Sequence, residues 1–204
     1  MLNNATFEKT LKRYAGKRGS LFVVSSPTAA GKTTVCRALV KADSSCVQSV
    51  SCTTRAPRGS ERNGRDYYFL SEKKFKELIK KDYFLEWARV HTDYYGTPRN
   101  FAEKHLKQGK NVILTIDVQG ARQIKKNCKT ACFVFLLPPS FKELKRRLKK
   151  RGTEDPRSIK VRLATAGKEL QEINNYQYLV INDTVSTAVG RLKAIILAET
   201  ARIK

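Results

Sequence analysis

Two hydrophobic periods alternate along the chain. Five short runs, Leu21 to Ser25, Val47 to Ser51, Val112 to Ile116, Ala131 to Leu137 and Tyr178 to Ile181, are rich in Val, Ile, Leu and Phe and end at turn residues. Runs of that kind predict strands covered on both faces, as in a parallel sheet. Apolar residues spaced by three and four predict helices over Lys32 to Ala42, Ser71 to Lys81, Asn100 to Gln108, Gly120 to Asn127, Ser140 to Lys150, Arg157 to Tyr176 and Thr184 to Arg202. Strands alternating with helices predict an α/β fold around one parallel five-stranded sheet. Two stretches break the alternation. Thr53 to Asn100, rich in Tyr, Arg and Gly with apolar pieces at Tyr67 to Leu70 and Phe84 to Val90, reads as a small α+β insertion. Arg146 to Arg162 gathers Arg146, Arg147, Arg151, Arg157 and Arg162 around a Gly152-Thr153-Glu154-Asp155-Pro156 turn and reads as a mobile helical hairpin, the form of a lid.

The junction of the first strand and first helix carries the sharpest chemistry. Leu21 to Thr34 reads LFVVSSPTAAGKTT, a buried strand breaking into a loop of small residues and then Gly31-Lys32-Thr33 at a helix start. A helix N-terminus presents unpaired N–H groups and the positive end of its dipole to an anion. Lys32 adds a mobile charge for the β- and γ-phosphates of a nucleotide, and the Thr33 hydroxyl is placed to ligate Mg²⁺. The loop departs from G-x-x-x-x-G-K-[ST] in having Ser26 at its first position and a single glycine, Gly31. Within the insertion, Ser51-Cys52-Thr53-Thr54-Arg55-Ala56-Pro57-Arg58-Gly59 places two guanidinium groups beside hydroxyls, which suits a second phosphate, with Tyr67, Tyr94 and Tyr95 as further donors. Glu86 lies in the apolar stretch Tyr83-Phe84-Leu85-Glu86-Trp87-Ala88, where a carboxylate needs a partner. Guanine, with its N1–H and N2–H₂ donors, is a suitable one; adenine is not.

Composition narrows the setting. The 204 residues suffice for one core with insertions, and 41% hydrophobic with 29% charged residues is globular. The longest apolar run, Ala131 to Leu137, is far short of a membrane span, and the opening segment lacks the pattern of a secretory signal, so a cytoplasmic location and no membrane partner are expected. Cys36, Cys46, Cys52, Cys128 and Cys132 have no framework spacing and predict reduced, mostly buried thiols. With 41 basic and 18 acidic side chains the formal net charge is +23, which draws polyanions without naming them. No aromatic-interleaved basic motif accompanies it, so no specific nucleic acid is expected as a partner.

Taken together, SSPTAAGKTT, SCTTRAPRGSERNGRDYYF, FLEWARVHTDYYGT, TIDVQGA, LPPS, LKRRLKKRGTEDPRSIKVRL and LVIND, in that order, resemble the guanylate kinases from about Gly19 to Lys204. The resemblance implies a P-loop NTPase core over residues 19–52 and 101–204, a lid at about 142–163 and a GMP-binding insertion over 53–100, while residues 1–18 read as an N-terminal basic arm outside it. It implies transfer of the γ-phosphoryl group of Mg-ATP to GMP in purine metabolism, with ATP and GMP as ligands, Mg²⁺ as cofactor, and a monomer or homodimer. Carried onto matching positions, Ser26, Pro27, Thr28, Ala29, Ala30, Gly31, Lys32, Thr33 and Thr34 would bind ATP, with Asn182 bordering adenine and Thr33 holding the metal. Ser51, Arg55, Arg58, Tyr67 and Tyr95 would surround the GMP phosphate; Glu86, Thr97 and Asp117 would read guanine; Lys32, Arg147, Arg151 and Arg162 would be catalytic. Three departures stand out. Ala29 replaces a glycine, and ATP binding requires that its Cβ neither face the phosphates nor demand positive φ. Thr115 stands where the family has an aspartate, removing one carboxylate near the metal, and the N-terminal arm is additional. A non-catalytic guanylate-kinase-like binding module, a nucleic-acid-binding role and a kinase for another phosphorylated acceptor are the alternatives. The first typically lacks the loop lysine and lid arginines, which this chain keeps.

Overall fold

The computed structural model describes residues 6, 8, 9, 19–90, 92–150 and 156–202. The expected arm at 1–18, His91, Arg151 and the Gly152-Thr153-Glu154-Asp155 turn thus fall wholly or largely outside the described residues. Nine strands and seven α-helices follow among those described: β1 Leu21–Ser25, α1 Lys32–Ala42, β2 Cys46–Gln48, β3 Cys52–Thr53, β4 Tyr68–Phe69, α2 Glu72–Lys80, β5 Phe84–Val90, β6 Asp93–Pro98, α3 Arg99–Lys107, β7 Asn111–Thr115, α4 Val118–Asn127, β8 Cys132–Leu137, α5 Phe141–Lys150, α6 Pro156–Leu170, a 3₁₀ turn Ile173–Asn175, β9 Tyr178–Ile181 and α7 Val185–Ala201.

The main sheet is parallel throughout, in the order β2-β7-β1-β8-β9. Strand β1 lies at its centre with all five residues buried, and the period of two divides its side chains between two apolar layers. Phe22 and Val24 pack with Val35, Cys36 and Leu39 of α1 and Ala188, Leu192 and Ile196 of α7. Leu21 and Val23 pack on the opposite face with Ala102 of α3 and Ala121 and Ile124 of α4. Helices on both faces account for the continuous apolar strands. Because Val24 is in register with Thr115, the loops leaving β1 and β7 emerge side by side at the carboxyl edge of the sheet, where α/β sheets place ligands.

The second sheet runs β4-β3-β6-β5 and is mostly antiparallel. Its core is an aromatic stack: the Phe75 ring lies 4.5 Å from Phe84 and 5.4 Å from Tyr94, over buried Cys52. A third small cluster joins the two lid-region helices to the phosphate loop, with Leu144 and Leu148 of α5 and Ala166 of α6 around Ala29.

Two boundaries differ from expectation by three or more residues, and strand β6 was not expected. The second strand ends at Gln48, not Ser51: pairing with β7 stops at Ile113, whose carbonyl accepts the Ser49 N–H, and the chain crosses into the other sheet at Cys52. The long helix expected to reach Tyr176 stops at Leu170 and continues as turns and the 3₁₀ segment. Strand β6 was hidden by its sequence, Asp-Tyr-Tyr-Gly-Thr-Pro, which lacks an apolar alternation. All five cysteines are free, four of them buried. Among the described residues no helix is long and apolar enough to cross a membrane.

Candidate functional site

Between the carboxyl edge of the main sheet, the second sheet and α6 lies a cleft of about 290 Å³. One wall is the whole of Ser26, Pro27, Thr28, Ala29, Ala30, Gly31, Lys32, Thr33 and Thr34. Its shape comes from two left-handed residues, Gly31 at φ 93 and Ala29 at φ 63. The N-cap of α1 is Gly31, with no side-chain cap, so the first-turn N–H groups carry no side-chain acceptor from the cap residue. Ala29 therefore adopts the positive φ that a residue with a Cβ disfavours, at a cost of about 1 kcal/mol. Its side chain is buried against Leu144, Leu148 and Ala166, which offsets that cost by packing.

Lys32 crosses from this wall to the neighbouring strand end, donating from Nζ to the Ile116 carbonyl at 2.6 Å. Burial lowers its pKa, and the carboxylates of Asp117, Glu169 and Glu86 act in the opposite direction. Asp117 caps α4 by accepting the Gly120 N–H at 2.8 Å. Thr115, in the position of the missing aspartate, accepts from Gln48 Nε2 at 3.2 Å and lines the cleft beside Asp117.

The second sheet supplies the opposite wall: Ser51, Arg58, Tyr67, Glu86 and Tyr95. Strand alternation turns Phe84, Glu86 and Ala88 inward and leaves Trp87 and Arg89 outside. Glu86 is 5% exposed, and its Oε1 accepts the Thr97 hydroxyl at 2.6 Å. Desolvation raises its pKa to about 7 against that hydrogen bond, and Asp117 adds to the rise. Its other oxygen packs over Gly120, where an added Cβ would stand 2.3 Å from Oε2. Gln123, one turn on along α4, donates to the Trp87 carbonyl at 2.6 Å and accepts its N–H at 3.2 Å, fixing β5 to that helix. Neither Gly120 nor Gln123 was singled out from sequence, since each acts on a strand more than thirty residues away.

Arg55 lies immediately behind this wall. Its guanidinium donates to both Glu61 oxygens at 3.1 and 2.9 Å and sits 5.4 Å from the Tyr67 ring centre, while its buried Nε has no partner among the described residues. Tyr94, proposed as a hydroxyl donor, is instead part of the aromatic stack. Thr97 is likewise a support for Glu86 and not a lining residue.

On the lid side Arg162 alone of the arginines whose side chains are described lines the cleft, with Nη1 donating to the Thr28 hydroxyl at 3.3 Å. Arg147 sits behind the phosphate loop, bonded to the carbonyls of Ala30 and Asn182 at 3.1 Å each and to Glu143 at 2.7 Å. Asn182 is also behind it, donating to the Ala30 carbonyl at 2.7 Å and leaving no room for a Cβ at Gly31. The structure does not bring these two into the cleft, and Arg151 lies outside the described residues. Two further lining residues, Thr165 and Glu169, went unnoticed in the sequence because they lie within an ordinary amphipathic helix.

Among the described residues no group of three or more His, Cys, Asp or Glu forms a metal cage. The polar groups present, Thr33, Thr115 and Asp117, fit Mg²⁺ of the kind held chiefly by a nucleotide's phosphates with few protein ligands.

Residues 18–199 match the family model for guanylate kinase. A guanylate kinase of Caldanaerobacter subterraneus subsp. tengcongensis is 47% identical, over 92% of this chain and 91% of that protein. One from Thermotoga maritima is 42% identical, over 91% and 90%. The crystal structure of a guanylate kinase from Anaplasma phagocytophilum superposes with a TM-score of 0.77 at 32% identity, covering 91% of this chain and 88% of that one. A shikimate kinase from Bacteroides thetaiotaomicron, 16% identical with a TM-score of 0.51 over 87% of this chain and 98% of that one, shares the fold alone.

Proposed function

The chain belongs to the guanylate kinase family, and on that premise we propose how its cleft transfers the γ-phosphoryl group of ATP to GMP, giving ADP and GDP. The carrying observation is that the wall holding Lys32 and the wall holding Arg58 and Glu86 border one cleft. The phosphate loop takes the donor's phosphates through its N–H groups and Lys32. Ser51, Arg58, Tyr67 and Tyr95 take the acceptor phosphate, and Arg55, held by Glu61 behind them, adds positive charge to that side of the cleft. Glu86 and Asp117 read guanine, with Thr97 holding one Glu86 oxygen so that the other faces the base edge.

The acceptor nucleophile is a phosphate oxygen already ionised near neutrality, so no general base is required. Alignment and neutralisation of the charge on the transferring group are the work, and Lys32 and Arg162 supply it from two directions. Thr33, together with the nucleotide's own phosphates, would hold Mg²⁺, which would neutralise phosphate charge. Arg147 braces the loop from behind in this reading. The division into core, insertion and lid then has a purpose: donor and acceptor pockets belong to separate layers that meet at the cleft. This chemistry belongs to purine nucleotide metabolism.

A panel of GMP, AMP, CMP and UMP with γ-labelled ATP tests the reading. GMP is expected to be labelled at least about a hundredfold more efficiently than the others, the scale set by leaving a buried carboxylate unpaired. Equal labelling of AMP would remove Glu86 from its role.

A further inference from the structure

Strand β5 is the edge of the second sheet, with β6 its one strand partner among the described residues. An edge strand presents unpaired N–H and C=O groups on its open side. At Trp87 both are taken by one side chain of α4: the Trp87 N–H donates to Gln123 Oε1 at 3.2 Å, and Gln123 Nε2 donates to the Trp87 carbonyl at 2.6 Å. A single amide thus does at this position what a further strand would do. The two bonded groups belong to successive peptide units, and the first of these joins Trp87 to Glu86. Holding them fixes the backbone from which the Glu86 side chain departs.

The ladder to β6 is irregular just there. Its register shifts between Phe84 and Glu86, the kind of break that bends a strand and re-aims a side chain. Helix α4, in contrast, is anchored, with Ala121 and Ile124 buried beside Val23 and Leu114 of the main sheet. Asp117, Gly120 and Gln123 follow at intervals of three, each next to the last on the helix surface. The first caps the helix, the second lies under Glu86 Oε2, and the third grips β5. We propose that Gln123 is a positioning residue for guanine: it ties the irregular edge strand to the helix that carries Asp117, and so holds Glu86 over Gly120 at a fixed distance from that second carboxylate. Contact with the nucleotide is not needed.

The proposal rests on the reading of Glu86 as the guanine acceptor, and a double-mutant cycle separates the two. Steady-state rates are measured with GMP varied at saturating ATP and the reverse, for wild type, Gln123→Met, Glu86→Gln and the double variant. Methionine keeps the length and helix preference of glutamine and removes the amide. Gln123→Met is expected to lower kcat/KM for GMP about tenfold, the scale of two lost neutral hydrogen bonds, with KM for ATP within about twofold of wild type. In the Glu86→Gln background the same substitution is expected to cost less than about threefold, because the group it positions is already disabled. Unchanged GMP use in Gln123→Met, an equal rise in both KM values, or a full tenfold loss retained in the double variant would overturn the positioning role while leaving Glu86 its own. Wild-type GMP use in Glu86→Gln would instead fell the guanine reading, and the proposal with it. Should Gln123→Met not fold, Gln123→Ala takes its place in the cycle with the same expectations.

Discussion

The two walls of the cleft are built by different means. The donor wall is one uninterrupted segment, Ser26 to Thr34, whose proposed ligating groups are largely main-chain N–H and whose geometry is set by Ala29 and Gly31. The acceptor wall is assembled from side chains on separate elements, with Ser51 before β3, Arg58 and Tyr67 in the long loop, and Glu86 and Tyr95 on β5 and β6. A backbone site recognises charge wherever a phosphate sits, so it tolerates substitutions such as Ser26 and Ala29. A side-chain site recognises a particular base and depends on each residue being held. The supports differ accordingly: a small aliphatic cluster and α6 for the donor wall, an aromatic stack and the Gln123 bridge for the acceptor wall.

The contrast is broken most sharply at Lys32, the one side chain the donor wall cannot replace with backbone. Lys32→Ala is expected to lower kcat by about 10³ or more, since lost stabilisation of transferring charge is worth several kcal/mol. Retained far-UV circular dichroism would confirm that the fold persists. A variant within tenfold of wild type in a coupled ADP-release assay would show that the loop alone suffices.

On the acceptor side, Glu86→Gln is expected to lower kcat/KM for GMP about a hundredfold while leaving the KM for ATP near wild type, because an ionised acceptor of two donors becomes a neutral amide. The pH dependence carries the same claim. The Glu86 pKa lies near 7 through burial, and guanine's donors require the ionised form, so kcat/KM for GMP should climb as pH rises through about 7 and the Gln variant should lose that share of the climb. Stability runs the other way. A carboxyl whose folded pKa exceeds its ordinary 4.5 favours the fold below that value, and this contribution is lost as pH rises toward about 7. Glu86→Gln should therefore flatten part of the stability profile between those limits, measured by urea midpoints.

Gly120→Ala separates packing from recognition. Alanine suits the helix itself better by about 1 kcal/mol, but the new Cβ would displace Glu86 Oε2. An approximately tenfold rise in KM for GMP without a matching loss of Tm is expected. Unchanged GMP use would place the recognising oxygen elsewhere.

Much of the donor side was legible in advance because it is local. Strand β1, helix α1 and the loop between them have the predicted bounds, and their chemistry follows from adjacency in the chain. Glu86 was legible as an anomaly, a carboxylate amid aromatics. Its supports were not: Thr97 lies on the weakly patterned β6, and Gly120 and Gln123 meet β5 only through the fold. Arg147 and Asn182 illustrate the converse. Residue type and motif placed them on the ligand's side, but a guanidinium or amide is equally able to satisfy loop carbonyls from behind, and here they do. The hazard of positive φ at Ala29 was legible, but the packing partners on α5 and α6 that offset it were not, because they meet the loop only through the fold.

The smallest effect expected is at that residue. Ala29→Gly relieves the left-handed strain and deletes one buried methyl, two contributions of about 1 kcal/mol with opposite sign. The Tm should therefore move by less than about 4 °C, and a larger fall would mean that the methyl, rather than the helix contacts at Thr28, fastens the lid to the loop.

Everything above depends on donor and acceptor pockets opening onto the same cleft. Calorimetric titration with adenosine and guanosine joined by a chain of five phosphates tests this in one measurement. One molecule is expected to bind per chain, at least about a hundredfold tighter than ATP or GMP alone, because linking two ligands makes the second contact intramolecular. Lys32→Ala and Arg58→Ala should each abolish most of that gain. Binding no tighter than the better single nucleotide would mean that the two pockets are not joined, and would contradict the account.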